Sequence, residues 1–189
     1  MPDYCTSLTG WRFWKVRQKP RVGTLWLRSI VRPDLWQPGV RFEAYGESDR
    51  GLHDQNICPD AQSRSGIYAF RTLPDALEDL DRTCYRGAVL GRVSLWGIIQ
   101  RHRFGYRAQF AYPRALCLAI CCICKRIVGL RSEPFAIGWA AYHFSDDFSV
   151  SGFVCNVCNT KYYSLETETG YRELSELAER YGITIEEYR

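Results

Sequence analysis

The sequence predicts an α+β fold that is mainly β: a small, sharply curved barrel with short helices, a cysteine-rich element and a C-terminal helix. Three observations carry this expectation. The strongest strand pattern, residues 87–100 (GAVLGRVSLWGIIQ), is broken by Gly87, Gly91 and Gly97, and glycines so placed mark bulges and tight coiling. Helical periodicity is confined to 73–82 and 171–181. Two C-x2-C pairs, Cys121 with Cys124 and Cys155 with Cys158, stand 30 residues apart. At 189 residues the chain is long enough for one domain with an appendage. The expected boundaries are 1–116 for the barrel, 117–163 for the cysteine-rich element and 164–189 for the helical end.

The elements follow in order. Residues 1–45 alternate Trp, Val and Leu with Gly and Pro and read as short strands and turns, with 24–31 (TLWLRSIV) the best strand. Residues 46–66 are polar and turn-rich and read as a long loop. A strand is expected at 66–71 (GIYAFR). A short helix follows at 73–82, where Pro74 suits a first turn, acids follow, and Leu77 and Leu80 share a face. In 87–100, Val89, Gly91, Val93, Leu95 and Gly97 fall on one face, and Leu90, Arg92, Ser94 and Trp96 on the other. Residues 104–112 (FGYRAQFAY) return as a second strand. The segment 117–163 reads as β-like, with an extra hairpin near 135–143. The last helix buries Leu174, Leu177, Ala178 and Tyr181, and Gly182 stops it. Thr184 and Glu187 are spaced for a capping box opening a final turn.

Composition excludes two classes. With 27 aromatic residues the chain cannot remain a solvated coil. Its longest apolar run, 115–124, is half of the roughly 20 residues a membrane helix needs, so no membrane association is expected. Charge is segregated. Residues 1–41 hold eight basic residues against two acidic, 42–83 hold four against nine, and 84–131 hold nine against none. Two basic blocks around an acidic one are the footprint of a polyanion partner, unless folding interleaves them.

Nine cysteines is an odd number, and the first 23 residues lack the apolar core of a secretory signal. The expectation is a cytoplasmic chain with reduced thiols. Two C-x2-C pairs supply the four thiolates of a closed tetrahedral zinc site, so Cys121, Cys124, Cys155 and Cys158 are the candidate ligands of a structural Zn2+ in a zinc-ribbon-like element. Cys122 offers a competing register. His53 and Cys58, with Cys5 and Cys84 elsewhere, form a thinner second cluster. Cys84 and Cys117 read as plain buried residues.

Arginine and aromatic residues gather in two places: Arg101, His102, Arg103, Phe104, Tyr106 and Arg107, and again Trp11, Arg12, Phe13, Trp14 and Lys15. In alternation Arg12 and Trp14 face one way, and Trp11, Phe13 and Lys15 the other. Guanidinium groups bind phosphate through paired hydrogen bonds, and rings stack on bases. The candidate nucleic-acid contacts are therefore Arg12, Trp14, Arg101, Arg103, Tyr106 and Arg107, against the plainer reading that the rings are core and the arginines cap the barrel mouth. Enzyme signatures are poor. His102 and His143 lack an evident nucleophile, and no phosphate-cradling loop, G-x-S-x-G or H-E-x-x-H is present.

The stretch from Val89 to Gly97 (VLGRVSLWG), with the element order over about 24–112, resembles the PUA-like superfamily and its ASCH and EVE branches. The motifs at 10–14 (GWRFW), 66–69 (GIYA) and 105–113 also look like those of small prokaryotic proteins in which cysteines precede the Gly-Ile-Tyr-Ala; here Ser63 and Ser65 stand there instead. The resemblance implies a small pseudobarrel with helices at its ends. It further implies binding of RNA or of a modified base in a pocket, or, in some ASCH proteins, catalysis on nucleosides or RNA. The cysteine-paired segment lies outside that core. The functional expectation is a nucleic-acid-binding module stabilised by zinc. The alternatives are a zinc-stabilised protein-interaction domain and an ASCH-like enzyme.

Overall fold

The computed structural model describes residues 7–18, 23–32, 34–44, 59, 65–81, 83–140 and 150–188. Cys5, His53, Cys58 and His143, and so the thinner metal cluster, lie outside the described residues.

The first half of the chain forms β1 (Leu8–Gln18), β2 (Leu25–Ser29), β3 (Phe42–Glu43), β4 (Ile67–Phe70), α1 (Leu73–Glu78), β5 (Ala88–His102) and β6 (Gly105–Ile120). These build one antiparallel sheet in which β1 pairs with β5, β5 with β6, β6 with β4, and β4 with β1. The ring is only partly closed, because β4 meets β1 at the single pair Trp11↔Phe70. The mainly β expectation and the barrel curvature are therefore seen. Two of the three glycines act as anticipated: the β5–β6 register shifts at Leu90/Gly91 and, across Gly97, between Trp96 and Ile99, with a further shift at Arg92/Val93. Gly87 instead lies before β5 in a left-handed conformation, φ 68°. Gly91 is also a close approach, since a Cβ there would lie 2.0 Å from the Ala115 carbonyl oxygen.

The alternation of β1 and β5 separates two cores. Inside the ring lie Trp14, Trp36, Ile67, Val93, Leu95 and Ala108. Outside it, Phe13, Phe70, Leu73, Tyr85, Leu90 and Leu118 pack together. The helix expected at 73–82 ends sooner. α1 has the capping box of Thr72 and Asp75, then tightens into a 3₁₀ turn at Asp79–Asp81.

The second half adds β7 (Ile127–Gly129), β8 (Phe135–Ala140), β9 (Val150–Cys155), α2 (Asn156–Tyr162), α3 (Thr167–Tyr181) and β10 (Thr184–Ile185). β8 pairs with β9, so the hairpin expected at 135–143 instead closes on the strand that leads into the second cysteine pair. α3 begins four residues before the expected 171, with no side-chain cap to announce it, and ends at Gly182 in the left-handed region, φ 63°. Its stripe of Leu174, Leu177, Ala178 and Tyr181 is buried as expected. The capping box at Thr184 and Glu187 does not form. Thr184 and Ile185 instead run parallel to β6 opposite Ala115 and Leu116, and Glu186 pairs with Arg92.

The 116/117 boundary falls within β6, a continuous strand of 16 residues. Barrel residues such as Val93 share one core with Phe135 and Phe153 of the β8–β9 hairpin and Leu174 of α3.

Candidate functional site

β6 ends at Ile120, and the chain turns through Cys121–Cys124 into β7. The Cys121 amide donates to the Arg126 carbonyl at 2.9 Å, the Lys125 amide to the Cys121 carbonyl at 3.0 Å, and Lys125 takes the left-handed conformation, φ 62°. This tight knuckle points Cys121 and Cys124 the same way. The second pair departs from the expected ribbon: Cys155 is the N-cap of α2 and Cys158 sits in its first turn, so a strand–helix junction replaces a second hairpin. The four Sγ atoms lie within 4.8 Å of one another, and Cys124 Sγ stands 3.6 Å from Cys155 Sγ. A tetrahedral metal with bonds of about 2.3 Å needs ligand atoms about 3.8 Å apart, so the donor set fits a metal ion. The Cys155 amide donates to Cys121 Sγ at 3.4 Å, the contact that stabilises a thiolate ligand. Cys122 turns away. Its amide donates to the Phe153 carbonyl at 2.8 Å, and its side chain packs toward Gly87 and Gly152. Cys117 is buried as expected. Cys84 is exposed instead, because the 3₁₀ turn that carries it buries Tyr85 rather than its neighbour.

A second site opens where the ring is incomplete. β1 pairs with β4 at Trp11 and with β2 only from Trp14 onward. Between these two strands the β1 edge at Arg12 and Phe13 borders a cleft of about 650 Å³. Both faces of β1 reach it, which is why Arg12 from the inner side and Phe13 from the outer side line the same space. Tyr68, Phe70, Phe42, Tyr85 and Phe104 supply aromatic walls. Tyr68 and Phe104 keep 37% and 47% of their surface exposed, which marks them as the accessible rings.

Arg12 is held at the base of this cleft. One amino group donates to the Tyr68 carbonyl and the other reaches Ser29 Oγ at 3.4 Å, while the guanidinium lies over the Trp36 ring. Its Nε is buried without an acceptor among the described residues. Burial pulls Arg12 down to about 10, offset in part by Tyr85 and Asp34, so it remains a cation at neutral pH. The cleft as a whole is not basic. Arg12 and Arg32 face Asp34, Asp75, Glu78 and Asp79, two cations against four carboxylates.

The other anticipated contacts divide. Arg101 and Arg103 are exposed at the β5–β6 turn. Arg101 is paired across the hairpin with Tyr106, and Gln100 with Arg107, so Arg101 and Arg107 point to opposite faces rather than forming one cluster. Arg103 lies over Phe104 at 4.9 Å, and Arg71 clasps the turn through the Arg103 carbonyl at 2.7 Å. Tyr106 packs against the inner core. Trp14 is fully buried at 0% exposure and cannot stack on a ligand, because its face of β1 is the inside of the ring. His102 packs against Tyr68 with ring centroids 4.7 Å apart and planes tilted by 40°, and burial, with the charges of Arg107 and Arg71, holds it below the ordinary histidine range. The sequence reading missed Trp36, Tyr85 and the carboxylates of α1. The available signal was the capping box at Thr72 and Asp75, which fixes where those acids point.

Comparison with protein families, with curated proteins and with solved structures gives no match for this chain.

Proposed function

We propose that the protein is a nucleic-acid-binding module, taking a single strand such as RNA, whose base enters the cleft while its phosphates stay on the arginine turn. The observation that carries this reading is the position of Phe104. It belongs both to the Arg101–Arg107 turn and to the wall of the cleft, so a cationic rim and an aromatic recess meet at one ring. Four carboxylates make the cleft unsuited to phosphate, whereas exposed Arg101 and Arg103 are suited to it. A base can stack on Phe104 or Tyr68. Within this reading the barrel is a PUA-like pseudobarrel, and the modified bases that such proteins accept are ligands of the same recess.

The cation proposed for Cys121, Cys124, Cys155 and Cys158 is structural Zn2+. Four thiolates leave no open position, so its contribution is to fix the knuckle and the start of α2.

The test is fluorescence anisotropy of a labelled five-nucleotide strand and of a duplex across a salt series. Binding to the single strand should weaken with a slope of about −0.7 per neutralised phosphate. No binding, or a flat salt dependence, overturns the proposal. A second reading is favoured by one feature. Val157, Tyr162 and Leu165 remain 60%, 55% and 36% exposed around α2, as a protein-interaction surface beside the metal site would be.

A further inference from the structure

The cleft combines three kinds of group that constrain its occupant. Its volume of about 650 Å³ lies within the range of about 300–1,000 Å³ typical of small-molecule sites. Its accessible walls include the rings of Tyr68 and Phe104 beside Val31, and exposed rings favour a flat partner. Its charged groups are of two kinds: the guanidinium groups of Arg12 and Arg32, which only donate, and the carboxylates of Asp34, Asp75, Glu78 and Asp79, which accept. Arg12 has a buried Nε with no acceptor among the described residues. Asp75 spends an oxygen on Thr72, and Asp79 spends one on the Tyr85 hydroxyl. The Glu78 carboxylate makes no hydrogen bond or ion pair with a described residue. A flat ligand that satisfies this set must offer an acceptor to Arg12 and adjacent N–H donors to a carboxylate.

The bases differ on this point. Guanine carries O6 and N7 as acceptors and, on its pairing edge, N1–H beside the 2-amino group, two adjacent donors that match both oxygens of one carboxylate. Adenine and cytosine set a ring-nitrogen acceptor next to their single amino group, and that nitrogen would face a carboxylate oxygen. Uracil places one N–H between two carbonyls. A site built around hydrogen-bonding groups rejects a partner that leaves them unpaired far more strongly than an apolar pocket does.

We propose that the cleft selects guanine, with Arg12 reading the O6 side and Glu78 of α1 accepting from N1–H and the 2-amino group, an assignment that rests on the nucleic-acid reading above. The selectivity belongs to the cleft, and the phosphate contacts belong to the turn, so the two can fail separately.

The experiment uses the full chain and four labelled five-nucleotide strands that differ only at the central residue: guanine, hypoxanthine, adenine or uracil in a uridine background. The guanine strand should bind at least about tenfold more tightly than the uracil and adenine strands. Hypoxanthine, which lacks only the 2-amino group, should lose about five- to tenfold, in line with the value of one base-edge contact. Glu78→Gln, at an exposed helix position, should remove the preference for guanine over hypoxanthine, and a preference retained in full by this variant overturns the role given to Glu78. Equal affinity for all four strands, or a preference for adenine, overturns the guanine assignment while the nucleic-acid reading stands. Binding of none of them overturns both.

Discussion

The Arg12 guanidinium lies 5.1 Å from the centroid of the Trp36 ring, and Trp36 is stacked on Phe42 at 4.5 Å with 9° between their planes. A flat cation can rest on a ring and still send its amino groups sideways to Ser29 and to the Tyr68 carbonyl. A lysine ammonium is a point charge on a flexible stem and cannot do both. Arg12 is thereby held rigid at the cleft, although it belongs to the inner face of a barrel strand.

Arg12→Lys should therefore preserve the charge and lose the site. The expected outcome is binding of a short guanine-containing strand weakened by about tenfold, equivalent to about 1.4 kcal/mol, with the melting temperature within a few degrees of the parent. Anisotropy and thermal denaturation on the same preparation check this. Parental affinity in Arg12→Lys would show that the cleft is not where the base sits.

Metal removal should act on the fold rather than on one contact. Protein purified without chelator should carry about one zinc per chain by elemental analysis. Stripping it should lower the melting temperature sharply, since structural zinc in small domains supplies about 10–16 kcal/mol of apparent binding energy. The sign with pH follows from the ligands. They bind metal as thiolates, so the loaded state carries fewer protons than the stripped state and affinity falls as pH falls. Release of zinc to a chromogenic chelator should rise from pH 7.5 to pH 5, and Cys124→Ser should release it at higher pH than the parent.

Local patterns in the sequence revealed the parts of the fold that local chemistry determines. Gly91 reads as a bulge or point of tight coiling, and the β5–β6 register shifts there. The stripe Leu174, Leu177, Ala178 and Tyr181 reads as a buried helix face ending at Gly182, and the two C-x2-C pairs read as a metal site and do converge. The cleft was not legible, because it arises from long-range register: β4 reaches β1 at Trp11, β2 reaches it at Trp14, and the gap between them exists only once both pairings are made. For the same reason Trp14 and Arg12, two residues apart on one face of β1, meet different fates. Trp14 lies beneath paired strands, and Arg12 at the gap. Thr184 and Glu187 had the spacing of a cap, yet an available edge on β6 outweighed a local preference worth about 1 kcal/mol.

Gly91→Ala tests the coiling of β5 directly. A methyl group there would stand 2.0 Å from the Ala115 carbonyl oxygen and 3.0 Å from its carbon, both backbone atoms that cannot rotate away. The strands must separate, and the expected loss is about 3 kcal/mol or more. Gly39→Ala is the contrasting case, with a left-handed φ of 73° but open space around it. Its expected cost is about 1 kcal/mol, from backbone conformation alone. Urea denaturation of the two variants should separate them in that order.

Lys15 should make stability rise with alkaline pH. Burial lowers it from the ordinary lysine value to about 8, with the thiols of Cys84 and Cys122 opposing the shift and Arg17 and Arg28 adding to it. Between about pH 8 and the unfolded value near 10.4 the unfolded chain holds a proton that the folded chain has released. Stability therefore increases with pH across that window. Lys15→Met removes the group, so it should be more stable than the parent at pH 7, and the gap should narrow by pH 9.5. Denaturant midpoints at the two pH values check this, and a gap that widens would reverse the assignment.

Tyr181→Phe should show that the C-terminal helix supports the cleft without touching it. The Tyr181 hydroxyl accepts from the Leu27 amide at 3.0 Å and donates to the Trp36 carbonyl. The Tyr181 carbonyl accepts from the Tyr112 hydroxyl at 2.8 Å, and that hydroxyl takes the Gly39 amide at 2.7 Å. One phenol thus ties α3 to β2 and to the segment that positions Trp36 beneath Arg12. Its removal leaves two buried backbone groups unpaired at an expected cost of about 2 kcal/mol. Because Trp36 is the surface on which Arg12 lies, the same variant should also weaken binding of the guanine strand by a few-fold, although residue 181 does not line the cleft. Stability lost with affinity fully retained would mean that Arg12 holds its position without Trp36, and that the Tyr68 and Ser29 contacts suffice.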